Sequence, residues 1–222
     1  MCLCCEDYFY LIFVLSFVSI YYFLGVEKME ETLKNLHKAF IGESQARNRY
    51  TMYAKQAVKD GYDQIGAIFT ETAEQEREHA KQLSKMINQL VEKMGKTQGP
   101  VVVETEGASM FAGTATNLKG AIAGENYENT TMYPEFAAKA EEEGLNDIAV
   151  RLRSIGKAEK HHEERYAKLL ENVEKGTVFK KEEEKEWVCR KCGYIHNGNT
   201  PPAKCPSCSH ETMYFELRCE EF

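Results

Sequence analysis

The chain has 222 residues, 43% hydrophobic and 28% charged, which is enough apolar content for one medium domain plus a small one and too much for a disordered chain. Its net charge of −7 leaves no basic surface to recruit nucleic acid or an anionic membrane. Eight cysteines are too few to staple a chain of this length, and four of them form two Cys-x-x-Cys pairs near the C-terminus, so a disulfide-rich secreted scaffold is excluded as well.

Residues 1–28 differ in character from the rest of the chain. Tyr8 to Leu24 is a charge-free run of 17 residues, broken only by Ser16 and Ser19 and close to the length of a membrane span. It carries Glu6 and Asp7 where a signal peptide has basic residues, and no small-residue cleavage site comes after it. Cys2, Cys4 and Cys5 lie in no acylation motif. Two readings stay open for this segment: a genuine N-terminal anchor, or a start placed upstream of the true one.

From Met29 the sequence has few breakers and a strong helical period. A first helix runs to about Lys59 and stops at Asp60-Gly61; a second runs from Tyr62 to Gly95. The third begins between Ser109 and Asn117 and ends at Gly144, with a kink expected at Pro134. The fourth spans Leu145 to about Lys175 and ends at Gly176. Two short connections and one longer one, Gly95 to Ala108, predict a four-helix bundle with a single crossover over residues 29–178. A charged linker, 179–186, leads to a small domain at 187–222.

The buried seam of each helix carries acids where apolar side chains belong. Positions spaced by three and four give Phe40, Glu43, Arg47 and Tyr50 on the first helix, and Phe69, Thr72, Glu76, His79 and Leu83 on the second. The third gives Ala121, Glu125, Glu128 and Met132, and the fourth Ile155, Glu159, His162 and Tyr166. Several ionised carboxylates buried together are very costly unless cations neutralise them. A dinuclear carboxylate site in a bundle takes one Glu from each of two helices and Glu-x-x-His from each of the other two. Glu43 and Glu125 are the single acids, Glu76–His79 and Glu159–His162 the pairs, and Glu128 is additional. Glu43 precedes Glu76 by 33 residues and Glu125 precedes Glu159 by 34, so the two helical hairpins present their acids alike, at an offset of 82 to 83. Single acids elsewhere, such as Glu71, Glu74 and Glu78, read as solvated face residues, and His161 lies off the seam. Tyr50 and Tyr133 read as packing residues that can also hydrogen-bond a ligand carboxylate.

Near the C-terminus, WVCRKCGYIHNGNTPPAKCPSCS places Cys189 and Cys192 in one pair and Cys205 and Cys208 in the other, with 12 residues between. Four thiolates from two such turns make a tetrahedral sulfur site, and spacing alone leaves zinc and a single iron equally open. Gly193 and Pro206 permit tight turns whose amides point at sulfur, which tunes reduction potential in an iron site. Cys219 is unpaired.

Residues 29–222 resemble the rubrerythrin family along their whole length. The resemblance is carried by GESQARNRY around Glu43, EREHAK around Glu76 and His79, GENYE with MYPEFA around Glu125 and Glu128, AEKHHEERY around Glu159 and His162, and the terminal CRKCGY and CPSC. It implies a mainly α fold: a ferritin-like four-helix bundle with a non-haem di-iron centre, followed by a small rubredoxin-like domain with one iron. Carried onto this chain, Glu76 and Glu159 bridge the irons, Glu43 is terminal on one, and Glu125 and His162 serve the other. Glu128 and His79 resemble the family's exchangeable pair, carboxylate bound in the diferric state and imidazole in the diferrous.

The activity implied is reduction of hydrogen peroxide to water in oxidative-stress defence. Electrons come from an external reductase or rubredoxin-like carrier through the four-sulfur iron, in a homodimer or larger assembly of the cytoplasm, membrane-anchored only if residues 8–24 are a real anchor. Three other readings differ in chemistry: a ferroxidase or iron-handling protein, a non-enzymatic redox or zinc-binding module, and a di-manganese catalase-like site needing no donor.

Overall fold

Helix α1, Glu30–Lys59, and helix α2, Asp63–Lys93, begin with acids and end with lysines, each charge complementing the helix dipole at its end. Gly61, at φ 90°, makes the turn between them. Its amide donates to the Val58 carbonyl at 3.1 Å and the Tyr62 amide to that of Ala57 at 2.8 Å, satisfying the carbonyls at the end of α1. The computed structural model describes residues 29–97, 99–108 and 111–220, so the apolar N-terminal segment lies outside the described residues. Among the described residues no helix is long and apolar enough to cross a membrane.

The third helical stretch is broken. Helix α3, Thr114–Tyr127, passes into a π-helical turn, Glu128–Met132, and then into α4, Tyr133–Glu142. The sequence predicts a kink at Pro134. The irregularity lies one turn earlier, because the proline ring crowds the carbonyl four residues back and offers no amide to it, and the widened turn relieves both. Thr114 starts α3 under a carboxylate from the other hairpin: Asp60 accepts from its amide at 2.8 Å and its hydroxyl at 2.6 Å. Helix α5, Asn146–Glu174, completes the bundle.

Two apolar cores bracket the acid layer. One contains Leu36, Leu83, Leu90, Leu152 and Ile155; the other contains Tyr50, Tyr53, Phe69, Leu118 and Tyr166. Between them Glu43, Glu76, Glu125 and Glu159 are all completely buried. Burial of the flanking apolar side chains, each worth about 1.5–3 kcal/mol, holds the helices in place around this polar layer. The seam predicted for α1 is corrected at one position. Arg47 leans outward to Glu74 at 3.5 Å and is only half-buried, while Ala46 beside it is fully buried.

The C-terminal part is a three-stranded antiparallel sheet, ordered β2-β1-β3, of Lys185–Cys189 (β1), Ile195–Gly198 (β2) and Phe215–Leu217 (β3). Its core is small: Trp187, Cys189, Cys205 and Phe215. β1 starts inside the stretch expected to be a linker. Lys181 ties that stretch down, its amide donating to the Asn199 carbonyl at 2.8 Å and its ammonium to Asn172 Oδ1 at 2.9 Å. Arg190 seats the sheet on the start of α2 through Asp63, at 2.8 Å.

Candidate metal centre

On α1, α2 and α5 the acids project from the interior of long helices, and on α3 Glu125 stands just before the π-helical turn; apolar core packing on either side leaves the carboxylates little freedom. The result is two overlapping groups. Glu43, Glu76, His79 and Glu159 offer ligand atoms that all lie within 4.8 Å of one another, and so do Glu76, Glu125, Glu159 and His162. Glu76 and Glu159 belong to both groups, and the two imidazole rings lie 6.0 Å apart.

Inside these groups His79 Nδ1 meets Glu76 Oε2 at 3.0 Å, but most of the other donor atoms crowd together without pairing. His162 Nδ1 lies 2.8 Å from Glu159, 3.1 Å from Glu76 and 3.6 Å from Glu125, yet it makes no hydrogen bond. Glu43 Oε2, Glu76 Oε1, Glu125 Oε2 and both oxygens of Glu159 are buried with no hydrogen-bond partner. An uncompensated buried ion costs on the order of several kcal/mol, and this many in one layer call for cations among them. Carboxylate and imidazole donors around two adjacent points suit iron, and the residues fit a pair of ions.

Proton distribution in the cation-free layer makes the same point. Burial pushes the Glu43 and Glu128 carboxyls well above the usual range and Glu125 up to about 8. At Glu76 burial is outweighed by the two neighbouring imidazoles, His162 and His79, which hold it down to about 2. Burial opposes charge on the imidazoles too, but the surrounding carboxylates raise His79 strongly and His162 to about 12.

The two tyrosines occupy matching places. Tyr50 on α1 donates to Glu125 Oε1 at 2.5 Å, and Tyr133 on α4 donates to Glu43 Oε1. Each hydroxyl caps one oxygen of a single acid and leaves the other, Oε2, facing the ion position. The pair is separated by 83 residues, the same offset that relates the acids, which is a signal in the sequence for their common role. Gly156 on α5 makes room for Tyr133: a Cβ there would stand 3.1 Å from the tyrosine Cβ. Nothing in the sequence points to that contact.

Glu128 enters neither group. It sits on the π-helical turn, 7% exposed, and its carboxylate has no hydrogen-bond partner among the described residues. His161 is exposed on the outer face of α5.

In the sheet domain Cys189, Cys192, Cys205 and Cys208 bring four sulfurs within 4.8 Å of one another, with Cys189–Cys208 at 3.7 Å and Cys192–Cys205 at 3.6 Å. The two knuckle turns match. Gly193 at φ 75° comes after one and Ser209 at φ 60° after the other, and the amides of Tyr194 and His210 hydrogen-bond the sulfurs of Cys192 and Cys208. The Tyr194 amide lowers the Cys192 thiol to about 6. Cys208 is pushed up to about 12 by burial and the neighbouring sulfurs, despite the His210 amide. Four thiols this close cannot all ionise without a cation, and the set fits one tetrahedral ion. Sequence reading missed His210, whose Nδ1 lies 3.3 Å from Cys208 Sγ with its ring edge-on to Tyr214. Cys219 is free and exposed.

Comparison with known proteins covers both parts of the chain. Residues 34–170 match the rubrerythrin family, and residues 187–216 match the rubredoxin-like domain of rubrerythrin. A protein named as a rubrerythrin in Methanocaldococcus jannaschii is 58% identical over 198 residues, 89% of this chain and 97% of that protein. The rubrerythrin of Nitratidesulfovibrio vulgaris is 46% identical over 190 residues, covering 86% and 95% of the two chains. Among solved structures, fully reduced, all-ferrous nigerythrin superposes with a TM-score of 0.55 at 34% identity, over 84% of this chain and 86% of its own. The metal of both sites is therefore iron, in a ferritin-like bundle joined to a rubredoxin-like domain, and the chain belongs to the rubrerythrin family of oxidoreductases.

Proposed function

We propose that the chain is a di-iron peroxidase that reduces hydrogen peroxide to water in defence against oxidative stress. The observation that carries this reading is the pair of overlapping ligand groups sharing Glu76 and Glu159, with their buried oxygens unpartnered. In it Glu76 and Glu159, which belong to both groups, would be shared by two irons, Glu43 and His79 would hold one, and Glu125 and His162 the other. Glu128 lies beside the site and would be an alternative ligand to His79, a carboxylate suiting a harder ferric ion and an imidazole a ferrous one.

When bound, the two irons supply one electron each and neutralise charge on the oxygens as the O–O bond breaks, so that one peroxide, two electrons and two protons give two waters. The chain's own residues do the rest. The four buried carboxylates keep the ions adjacent, and the apolar cores on either side exclude bulk water. Tyr50 and Tyr133 orient Glu125 and Glu43 and hold the hydroxyl protons on their outer oxygens, as partners behind a ligand do.

Cys189, Cys192, Cys205 and Cys208 would hold the iron that relays electrons from an external donor. Arg190 anchors that domain at Asp63, the first residue of α2, and Glu76 lies 13 residues further along, roughly 20 Å at helical rise. That separation favours transfer between the knuckle of one copy and the bundle of another in a homodimer. The fused electron carrier also argues against iron storage, which has no need of one.

The test is anaerobic turnover with quantified metals. About three irons per chain, and donor-driven peroxide consumption, are expected. Cys192→Ser should abolish that turnover while a prereduced bundle still consumes a single equivalent of peroxide. Unchanged turnover in this variant would show that electrons do not pass through the knuckle. Oxygen evolution without donor would replace the reading with a catalase.

A further inference from the structure

A groove of about 600 Å³ runs between α1 and the broken third helix. Gly42 lines it from α1, Gly120 and Gly124 from α3, and Glu128 from the π-helical turn. Gly42 and Gly124 stand at the 82-residue offset that relates the two hairpins, so each hairpin leaves one side chain out of the gap.

Glycine inside a helix is destabilising relative to alanine, so three along one gap require a reason. Helix packing is not the reason: a Cβ would come no closer than 3.7 Å to any atom at Gly42 and Gly124, and 3.8 Å at Gly120. What the absent side chains leave is the groove itself. Glu128 joins the groove to the metal site. Glu128 is 7% exposed, has no hydrogen-bond partner among the described residues, and holds its Oε1 3.7 Å from where a Gly42 Cβ would stand. It thus lines the groove while its carboxylate lies within electrostatic reach of Glu43, Glu125 and Glu159. Residues 104–108 form the roof, and Gln45 ties it down, donating to the Glu106 carbonyl at 3.4 Å and accepting from the Ala108 amide at 3.2 Å.

We propose that this groove is the route by which peroxide reaches the di-iron site, arriving at Glu128, and that Gly42, Gly120 and Gly124 keep it open. The proposal rests on the peroxidase reading for its substrate, and the route itself is tested independently of it by azide, a small metal ligand.

The experiment uses the full iron-loaded chain in an anaerobic stopped-flow instrument. Two rates are read: oxidation of the reduced protein by hydrogen peroxide, and association of azide with the oxidised protein by its absorption change. Gly124→Leu should slow both by about tenfold or more, whereas Gly124→Ala should stay within about twofold of the parent. Oxidation by ferricyanide, which needs no passage to the metals, and iron per chain should be unchanged in both variants. A Leu variant with full iron and parental rates for peroxide and azide would overturn the proposal. Should that variant lose its iron, Gln45→Ala decides: releasing the roof should speed azide association, and an unchanged rate would overturn the route. A parent protein that binds azide but ignores peroxide would sink the peroxidase reading and leave the route standing.

Discussion

The two metal-binding regions reach similar sets of converging donors by opposite means. In the bundle, four long helices and two apolar cores fix the acids, and the ions offset a charge cost that the fold already carries. In the knuckle, five-, four- and three-residue strands enclose a core of little more than Trp187, Phe215 and two of the ligand cysteines themselves. So small a core cannot supply much stability, and ligand binding there is folding energy. One region is a scaffold that holds a site, and the other is a site that makes its scaffold.

The largest expected effect separates these two cases. Glu76→Ala should strip both irons from the bundle, leaving about one iron per chain, with helicity by circular dichroism retained. Cys192→Ser should leave the bundle irons in place but lose the fluorescence and proton-resonance signature of a packed Trp187. If Glu76→Ala keeps all its iron, its bridging role is wrong. If the Cys192→Ser knuckle stays folded without metal, the two regions do not differ in this way.

A smaller effect tests the tyrosine caps. Tyr133→Phe keeps the ring against Gly156 but leaves Glu43 Oε1 without its buried donor, which should cost the metal-free chain about 1–3 kcal/mol in urea unfolding. Tyr50→Phe should cost a similar amount through Glu125 Oε1, because the two hairpins are related. A loss confined to one of them would break the equivalence.

The smallest effect concerns the join between hairpins. Burial alone would raise the Asp60 carboxyl, but the hydroxyl and amide of Thr114 outweigh it and lower its pKa below the ordinary range. A carboxyl lowered in the folded state contributes stability that is present at pH values above its unfolded pKa and lost as pH falls through the folded one. Asp60→Asn should therefore lower the denaturation midpoint near neutrality and flatten its acid dependence below the usual aspartate range. An acid limb as steep as the parent's would exclude this contribution.

Much of this was legible in the chain because buried acids violate the helical apolar period. Glu43, Glu76, Glu125 and Glu159 stand out on their seams for that reason, and a 3.6-residue period with Glu-x-x-His leaves little choice of face. The cysteine pairs were equally plain. Period and spacing do not reveal features that depend on which helix lies opposite: the outward turn of Arg47, the room Gly156 makes for Tyr133, or the capping of α3 by Asp60. Pro134 signalled a disturbance, but only the chain's path placed it in the turn holding Glu128.

By itself, then, the amino-acid order determined the helices, the acid layer, the sulfur ligands and the family, because each is a matter of periodicity, spacing or motif along one strand of chain. The tertiary structure alone decided which oxygens remain unpartnered, that Glu128 stands outside both ligand groups, and that a groove ends on it. Those facts depend on the relative placement of helices far apart in sequence, where close packing and the cost of an unpaired buried charge select one arrangement.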